Sequence, residues 1–419
     1  MLERGLNRNF WLFAFGRFVS QLGWAVQEVA LPLYVLDKTH SGSMMTLFVL
    51  ADVIPSLIIM PFAGVVGDRY NRKGLMVGFD LARGLLLFGV IAFNFLGIYQ
   101  LLTVQVVMAV MGAFFGAATS AMFPDLVEPD ELERANSTVS SFTVVARLVG
   151  PALGGVIYAL GGIKLAILIN AVSFFGSGLF EVLIRYEWKT RELESVGQVI
   201  EDIKEGLVFL RSSRYLVVLM SFALFMNALG QPFNAVVMPY AFREVLKFTS
   251  EQFGLLESAF MGGMLFGNLI VAIKLGRRAG RYLFKAMAVN GLLMLIFVWV
   301  VSPLAGVSRD SAFVTLAVTA VFLGASSAII NVPLNSKIQR AVPTELRGRV
   351  FSALALLVNA SAPLGLVVVG PLVDRYSAWG VSLGIWVAQA VVVVHYYVRH
   401  REVLLGGERE EAKTVTELP

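Results

Sequence analysis

The sequence predicts an all-α membrane protein: twelve transmembrane helices in two pseudo-symmetric six-helix bundles. Three observations lead there. The chain of 419 residues is 57% hydrophobic and 15% charged, with a mean hydropathy of +0.75. A soluble domain carries about 25% charged residues, so most of this chain belongs in lipid. Apolar runs long enough to cross about 30 Å of hydrocarbon recur twelve times. The second half repeats landmarks of the first in the same order.

The short basic segment Met1–Asn9 leads into an apolar run at 10–36. That run is too long for a signal-peptide core and continues into a many-spanning chain, so it reads as an uncleaved first helix. Runs at 44–66, 75–97, 101–123, 137–160 and 163–184 complete an N-terminal bundle, residues 1–184. Residues 185–214 form the longest polar interruption and read as a cytoplasmic linker. Within it Val199, Ile203, Leu207 and Leu210 recur at helical spacing among Glu201, Asp202, Lys204 and Glu205. That pattern predicts an amphipathic helix lying on the membrane surface. Runs at 215–242, 253–274, 282–302, 310–333, 349–372 and 378–398 make a C-terminal bundle, 215–400, followed by a polar cytoplasmic tail, 401–419.

Four matches carry the repeat. Leu22-Gly23 with Pro32 matches Leu229-Gly230 with Pro239. Gly67, Arg69 and Arg72 match Gly276, Arg278 and Arg281. Gly116-Ala-Ala-Thr-Ser matches Gly324-Ala-Ser-Ser-Ala, and Pro129-Asp-Glu-Leu matches Pro343-Thr-Glu-Leu. The 34 lysines and arginines concentrate in alternate loops, which places both termini in the cytoplasm by the positive-inside rule and accounts for the net charge of +5.

Composition also excludes chemistry. There is no cysteine, so disulfides and thiolate sites are absent. The three histidines, His40, His395 and His400, lie near the ends of apolar runs and cannot build a buried metal or relay cluster. No Walker or other nucleotide motif is present. No cofactor, metal or nucleic-acid partner is expected, and a monomer is.

Between the second and third spans stands Gly64-Val-Val-Gly67-Asp68-Arg69-Tyr70-Asn71-Arg72-Lys73. It matches G-x-x-x-D-R-x-x-R-K and resembles the cytoplasmic loop of the major facilitator superfamily of secondary transporters. Asn331-Val-Pro-Leu-Asn-Ser-Lys-Ile-Gln339 through Arg347-Gly-Arg-Val-Phe-Ser352 resembles the branch with macrolide and other drug exporters and the enterobactin exporter. Gly150-Pro151-Ala-Leu-Gly154-Gly155 resembles the fifth-helix motif associated with antiporters. The resemblance implies that Asp68 meets the eleventh helix and stabilises an outward-open state. Arg69, Arg72 and Lys73 would pair with cytoplasmic acids, Asp125 among them. The plainer reading of these bases is positive-inside topology alone. The second-half copy carries Arg277 where Asp68 stands, so gating is expected to be asymmetric.

Arg17, Gln21, Trp24 and Glu28 are four, three and four residues apart and share one face of the first span. The seventh span carries Asn227, Gln231 and Asn234 on one face. The resemblance implies that both helices line a central cavity. Glu28 is the candidate for proton and substrate coupling, because a poorly solvated cavity favours its neutral form; alternatively it pairs with Arg17 or Arg147 and holds helices together. Asp52 is a second proton site or a contact to a neighbouring helix. Arg147 binds an anionic group, or neutralises Glu28 or Asp52. Gly150, Pro151, Gly154 and Gly155 let helices one and five pack or slide. Asp80 and Arg83 read as a local ion pair, and Glu181 and Glu257 as acids near span ends that snorkel to water. Many drug–proton antiporters have an arginine in helix four; here that span has no charge, so their coupling scheme is not carried over.

The function this predicts is export of amphipathic drug-like molecules across a bacterial inner membrane by alternating access in proton antiport. A siderophore or a lysophospholipid is the alternative cargo. A membrane-embedded enzyme is the remote alternative, lacking cysteine or a mid-span histidine to build on.

Overall fold

Lipid offers no partners to backbone N–H and C=O groups, so apolar runs within it must close their hydrogen bonds inside helices. The computed structural model describes residues 6–187 and 196–405, and every regular element among them is helical. Residues 188–195 of the linker and 406–419 of the tail lie outside the described residues. Ten helical segments among the described residues are long and apolar enough to cross a membrane. The polar stripe keeps α1 (Arg8–Thr39), 32 residues long, out of that set. It is followed by α2 (Gly42–Arg69), α3 (Arg72–Ala92), α4 (Ile98–Met122) and α5 (Leu132–Val182).

With 51 residues, α5 would run about 77 Å if straight, more than twice the hydrocarbon thickness. It turns at Gly162, whose φ of 60° and ψ of −160° suit glycine alone. The turn falls between the runs at 137–160 and 163–184.

The residues divide into two compact units. The first comprises 1–39, 47–199 and 249–258. There α1 packs along both arms of α5, and α3 packs on α5. Gly154 brings α5 so close to α1 that a Cβ would stand 2.9 Å from the Val26 carbonyl oxygen and 3.0 Å from Val29 Cβ. Phe13, Met76, Met122, Leu126 and Ile184 form one buried core cluster. Asn170 donates to Gln27 Oε1 at 2.7 Å, both side chains buried, and fixes α1 against the second arm of α5.

The second unit comprises 40–46, 200–248 and 259–419. It holds α6 (Val196–Ser212), α7 (Arg214–Pro232) and the short α8 (Met238–Tyr240) between two π-helical turns. It continues through most of α9 (Ser250–Ile270), then α10 (Leu283–Val301), α11 (Arg309–Ala341), α12 (Arg347–Arg375) and α13 (Ala378–Leu405). The amphipathic helix of the linker forms as α6, but protein covers its apolar face. Leu210 is buried and Ile203 and Leu207 pack on a core that includes Phe222, Leu283, Val350 and Ala353. Asp202 and Glu205 hold Arg349 at 2.7 and 2.5 Å. The expectation of a helix resting on the membrane surface is corrected by these contacts. Elsewhere the unit leaves Val314, Val318 and Phe322 of α11 exposed one turn apart, a stripe suited to lipid.

Candidate functional site

Two faces of α1 have different fates. Phe13, Gly16, Ser20, Gly23 and Gln27 are buried. Arg17, Gln21 and Trp24 are half-buried, and Glu28 is exposed. Thr143 of α5 donates to Gln21 Oε1 at 3.2 Å. The Trp24 ring stands 6.5 Å from Phe174 in a tilted arrangement, and the Arg17 guanidinium lies 5.8 Å from the Phe13 ring centre. Glu28 feels the charges of Arg147 on α5 and Asp52 on α2, and it acts in turn on Glu257 of α9. Asp52 is itself tied down, since Gln105 of α4 donates to its Oδ1 at 3.0 Å.

Glu257 was expected to snorkel from a span end. It sits instead on the segment 249–258, which packs on α5 within the first unit. The Ala152 amide donates to Ser258 Oγ at 3.0 Å, and Gly155 and Gly254 bring the two backbones together. From this segment Glu257 feels the charge of Glu28. In the second unit, Ser361 donates to Asn227 Oδ1 at 3.1 Å, while Gln231 and Asn234 are exposed.

The loop at 64–73 has its own network. Arg72 is buried; its guanidinium donates to Asp125 at 2.9 Å, to the Ala121 carbonyl at 3.0 Å and to the Gly67 carbonyl at 3.3 Å. The Tyr186 hydroxyl donates to the same Asp125 oxygen at 2.8 Å. Partial burial first, and that hydrogen bond second, hold the Tyr186 phenol above its ordinary pKa. Lys73 donates to the Val182 carbonyl at 2.8 Å. Asn71 caps α3 by accepting from the Gly74 amide at 3.2 Å. The side chains of Asp68, Arg69, Arg277 and Arg278 lie outside the described residues.

Residues 13–366 match the model of the Major Facilitator Superfamily. The chain belongs to this superfamily. It is similar to Macrolide efflux protein A of Streptococcus pyogenes, 23% identical over 371 residues, covering 88% of this chain and 90% of that one. It is 28% identical over 385 residues to Multidrug efflux pump Tap of Mycobacterium tuberculosis, covering 88% of each. A solved nucleoside transporter, NupG, superposes with a TM-score of 0.70 at 13% identity, covering 93% of this chain and 98% of that one. A bacterial homologue of the iron transporter ferroportin does so with a TM-score of 0.69 at 18% identity, covering 94% and 100%. At such identities the structures share the fold alone. The relatives are transporters, and so is this member of the superfamily; the enzyme alternative is set aside.

Two features of this superfamily member were not read from the sequence. Glu181 does not snorkel. It is fully buried beside Asp80 and Arg83, because α1 and α3 close over the second arm of α5. The second feature is Asp374, at the end of α12. Its carboxylate accepts from the backbone amides of Gly42 and Ser43 at 2.5 and 3.0 Å and from Ser41 Oγ at 2.8 Å. An anion there satisfies the free amides of the first turn of α2 and suits the helix dipole. A signal was available: Gly370-Pro-Leu-Val-Asp374-Arg375 repeats the G-x-x-x-D-R of Gly64 to Arg69.

Proposed function

We propose that the protein is a secondary active exporter of amphipathic, drug-like small molecules, working by alternating access and driven by inward movement of protons. The observation that carries this reading is the α1 stripe. An acid, Glu28, stands exposed part-way along a helix otherwise fitted for lipid, on one face with Trp24, Gln21 and Arg17. An uncompensated charge at the bilayer centre costs about 2.5–3.5 kcal/mol on insertion scales, so such residues pair or serve a pathway. The likeness to macrolide and multidrug efflux proteins supports the class of cargo.

In this reading Glu28 exchanges a proton for a cationic or hydrogen-bonding cargo, and Arg147 competes with both for the carboxylate. Trp24 stacks on the cargo. Gln21, and Asn227, Gln231 and Asn234 of α7, offer hydrogen bonds to it. Asp52 is the second acid at similar depth. Gly64, Asp68, Arg69, Arg72, Lys73 and Asp125 form the cytoplasmic gate. Gly150, Pro151, Gly154 and Gly155 provide the surface on which α5 moves.

The topology proposed with it has twelve spans, obtained by adding α1 and dividing α5 at Gly162. They form six-helix bundles at 1–184 and 215–400, with both termini in the cytoplasm of a bacterium and the chain acting as a monomer in its inner membrane. Reconstitution of the full chain into liposomes with an imposed pH gradient tests the function. A panel of macrolides and other amphipathic compounds should include cargo that accumulates against its gradient, with accumulation lost on adding a protonophore. Accumulation that survives the protonophore would refute proton coupling, and failure to move any compound would refute the drug-exporter reading.

A further inference from the structure

The first unit contains a charged nest, separate from the stripe acid, that the export reading does not use. Asp80 and Glu181 are fully buried, and Arg83 is nearly so. Arg83 bonds Asp80 Oδ1, and its guanidinium lies between the Phe115 and Phe174 rings, 4.2 and 4.3 Å from their centres. Ser177 donates to Glu181 Oε1 at 3.3 Å. Asp80 lies within hydrogen-bonding reach of Glu181. The charged and titratable groups facing the pair are Arg17 from α1 and Arg83 from α3; α4 contributes the Phe115 ring, and α5 contributes Ser177.

Among the described residues, three polar atoms in this nest are buried without a partner: Asp80 Oδ2, Glu181 Oε2 and Arg17 Nε. Two are carboxylate oxygens on neighbouring acids. A carboxylate only accepts, so two facing carboxylates cannot satisfy each other. Leaving such atoms unsatisfied in a buried site costs the full desolvation of each. One proton removes both defects, because a protonated carboxyl donates to its neighbour while keeping one accepting oxygen for Ser177 or Arg83.

We propose that Asp80 and Glu181 form a proton-binding site holding one proton between them, with Arg17 as the competing donor. In the protonated state an O–H of one acid donates to the other. For release, that O–H bond breaks, the proton passes to water, and the Arg17 guanidinium moves onto Glu181 in its place. Arg17 is also the inner member of the α1 stripe, so a shift of α1 on binding cargo would reach this site. Occupancy by the proton stands whether or not the protein exports drugs; its exchange during transport rests on that reading.

Infrared spectroscopy of the purified full-length protein tests the site directly. At near-neutral pH the wild type should show a protonated-carboxyl C=O band that Glu181→Gln and Asp80→Asn each remove. Ser177→Ala, which deletes only one hydrogen bond, should shift that band without removing it. Arg17→Gln should make the band persist to higher pH. The proposal is overturned if the wild type lacks such a band, or if the band survives unchanged in Glu181→Gln, Asp80→Asn and Ser177→Ala. Loss of pH-driven export with these spectra intact would speak only against the export reading.

Discussion

The first unit places acids in two contrasting settings. At Glu28 the acid is exposed, and the groups whose charges couple to it, Arg147, Asp52 and Glu257, stand on other helices. At Asp80 and Glu181 the acids are sealed, two arginines face them, and aromatic rings clamp one guanidinium in place. The difference follows from the two faces of α1. One carries Gly16, Ser20, Gly23 and Gln27 and is buried; the other carries larger polar groups and stays half-buried at Arg17, Gln21 and Trp24 and exposed at Glu28. An open acid can exchange ligands with little effect on packing. A sealed one can change its charge only if a compensating group moves with it.

Stability should separate the two settings most strongly. Arg83→Ala strands buried acids and should cost about 3–5 kcal/mol, the range for breaking a buried pair. Arg147→Ala, at an exposed arginine, should cost less than about 1 kcal/mol. Thermal unfolding of the purified protein checks both, and equal losses would erase the contrast. Next in size is Gly154→Val. Its Cβ meets Val26 and Val29 of α1 at 2.9–3.0 Å, so overpacking should cost about 1–3 kcal/mol and disturb both settings, since α1 carries them together. A variant as stable as wild type would show that α1 adjusts freely on α5.

A smaller effect is expected at the end of α12. Asp374→Asn keeps an acceptor but loses its charge at three donors, and should cost about 0.5–2 kcal/mol, as for a helix cap. Its sequence counterpart Asp68→Asn should barely alter expression or melting, yet slow transport by weakening cytoplasmic closure. If Asp68→Asn destabilises the protein and transports normally, the loop is scaffold rather than gate.

Much of this was legible in the sequence, for identifiable reasons. Long apolar runs permit only helices in lipid, so apolar helices could be placed, and the gap between the runs at 137–160 and 163–184 falls at the Gly162 turn within α5. The four residues of the stripe could be grouped because helical spacing fixes a shared face. Asp80 and Arg83 pair three residues apart on one helix, which spacing also gives. Glu181 was misread because distance from a span end says nothing of what packs over that end; burial there depends on α1 and α3. The setting of Glu257 was hidden likewise, since it depends on how the start of α9 packs on α5. The covered face of α6 was misread because an amphipathic pattern does not say whether lipid or protein covers it. The Asp374 cap left a trace in its motif, but only tertiary contact shows that its partner is the start of α2.

Glu28 is the acid proposed to couple proton to cargo. In liposomes with an imposed pH gradient, Glu28→Gln keeps shape and removes the titratable group. It should still bind a neutral cargo while losing gradient-driven accumulation, and Asp52→Asn, at similar depth, should retain it. Accumulation that persists in Glu28→Gln and disappears in Asp52→Asn would assign coupling to the other carboxylate, and persistence in both would contradict coupling through an acid of the open site.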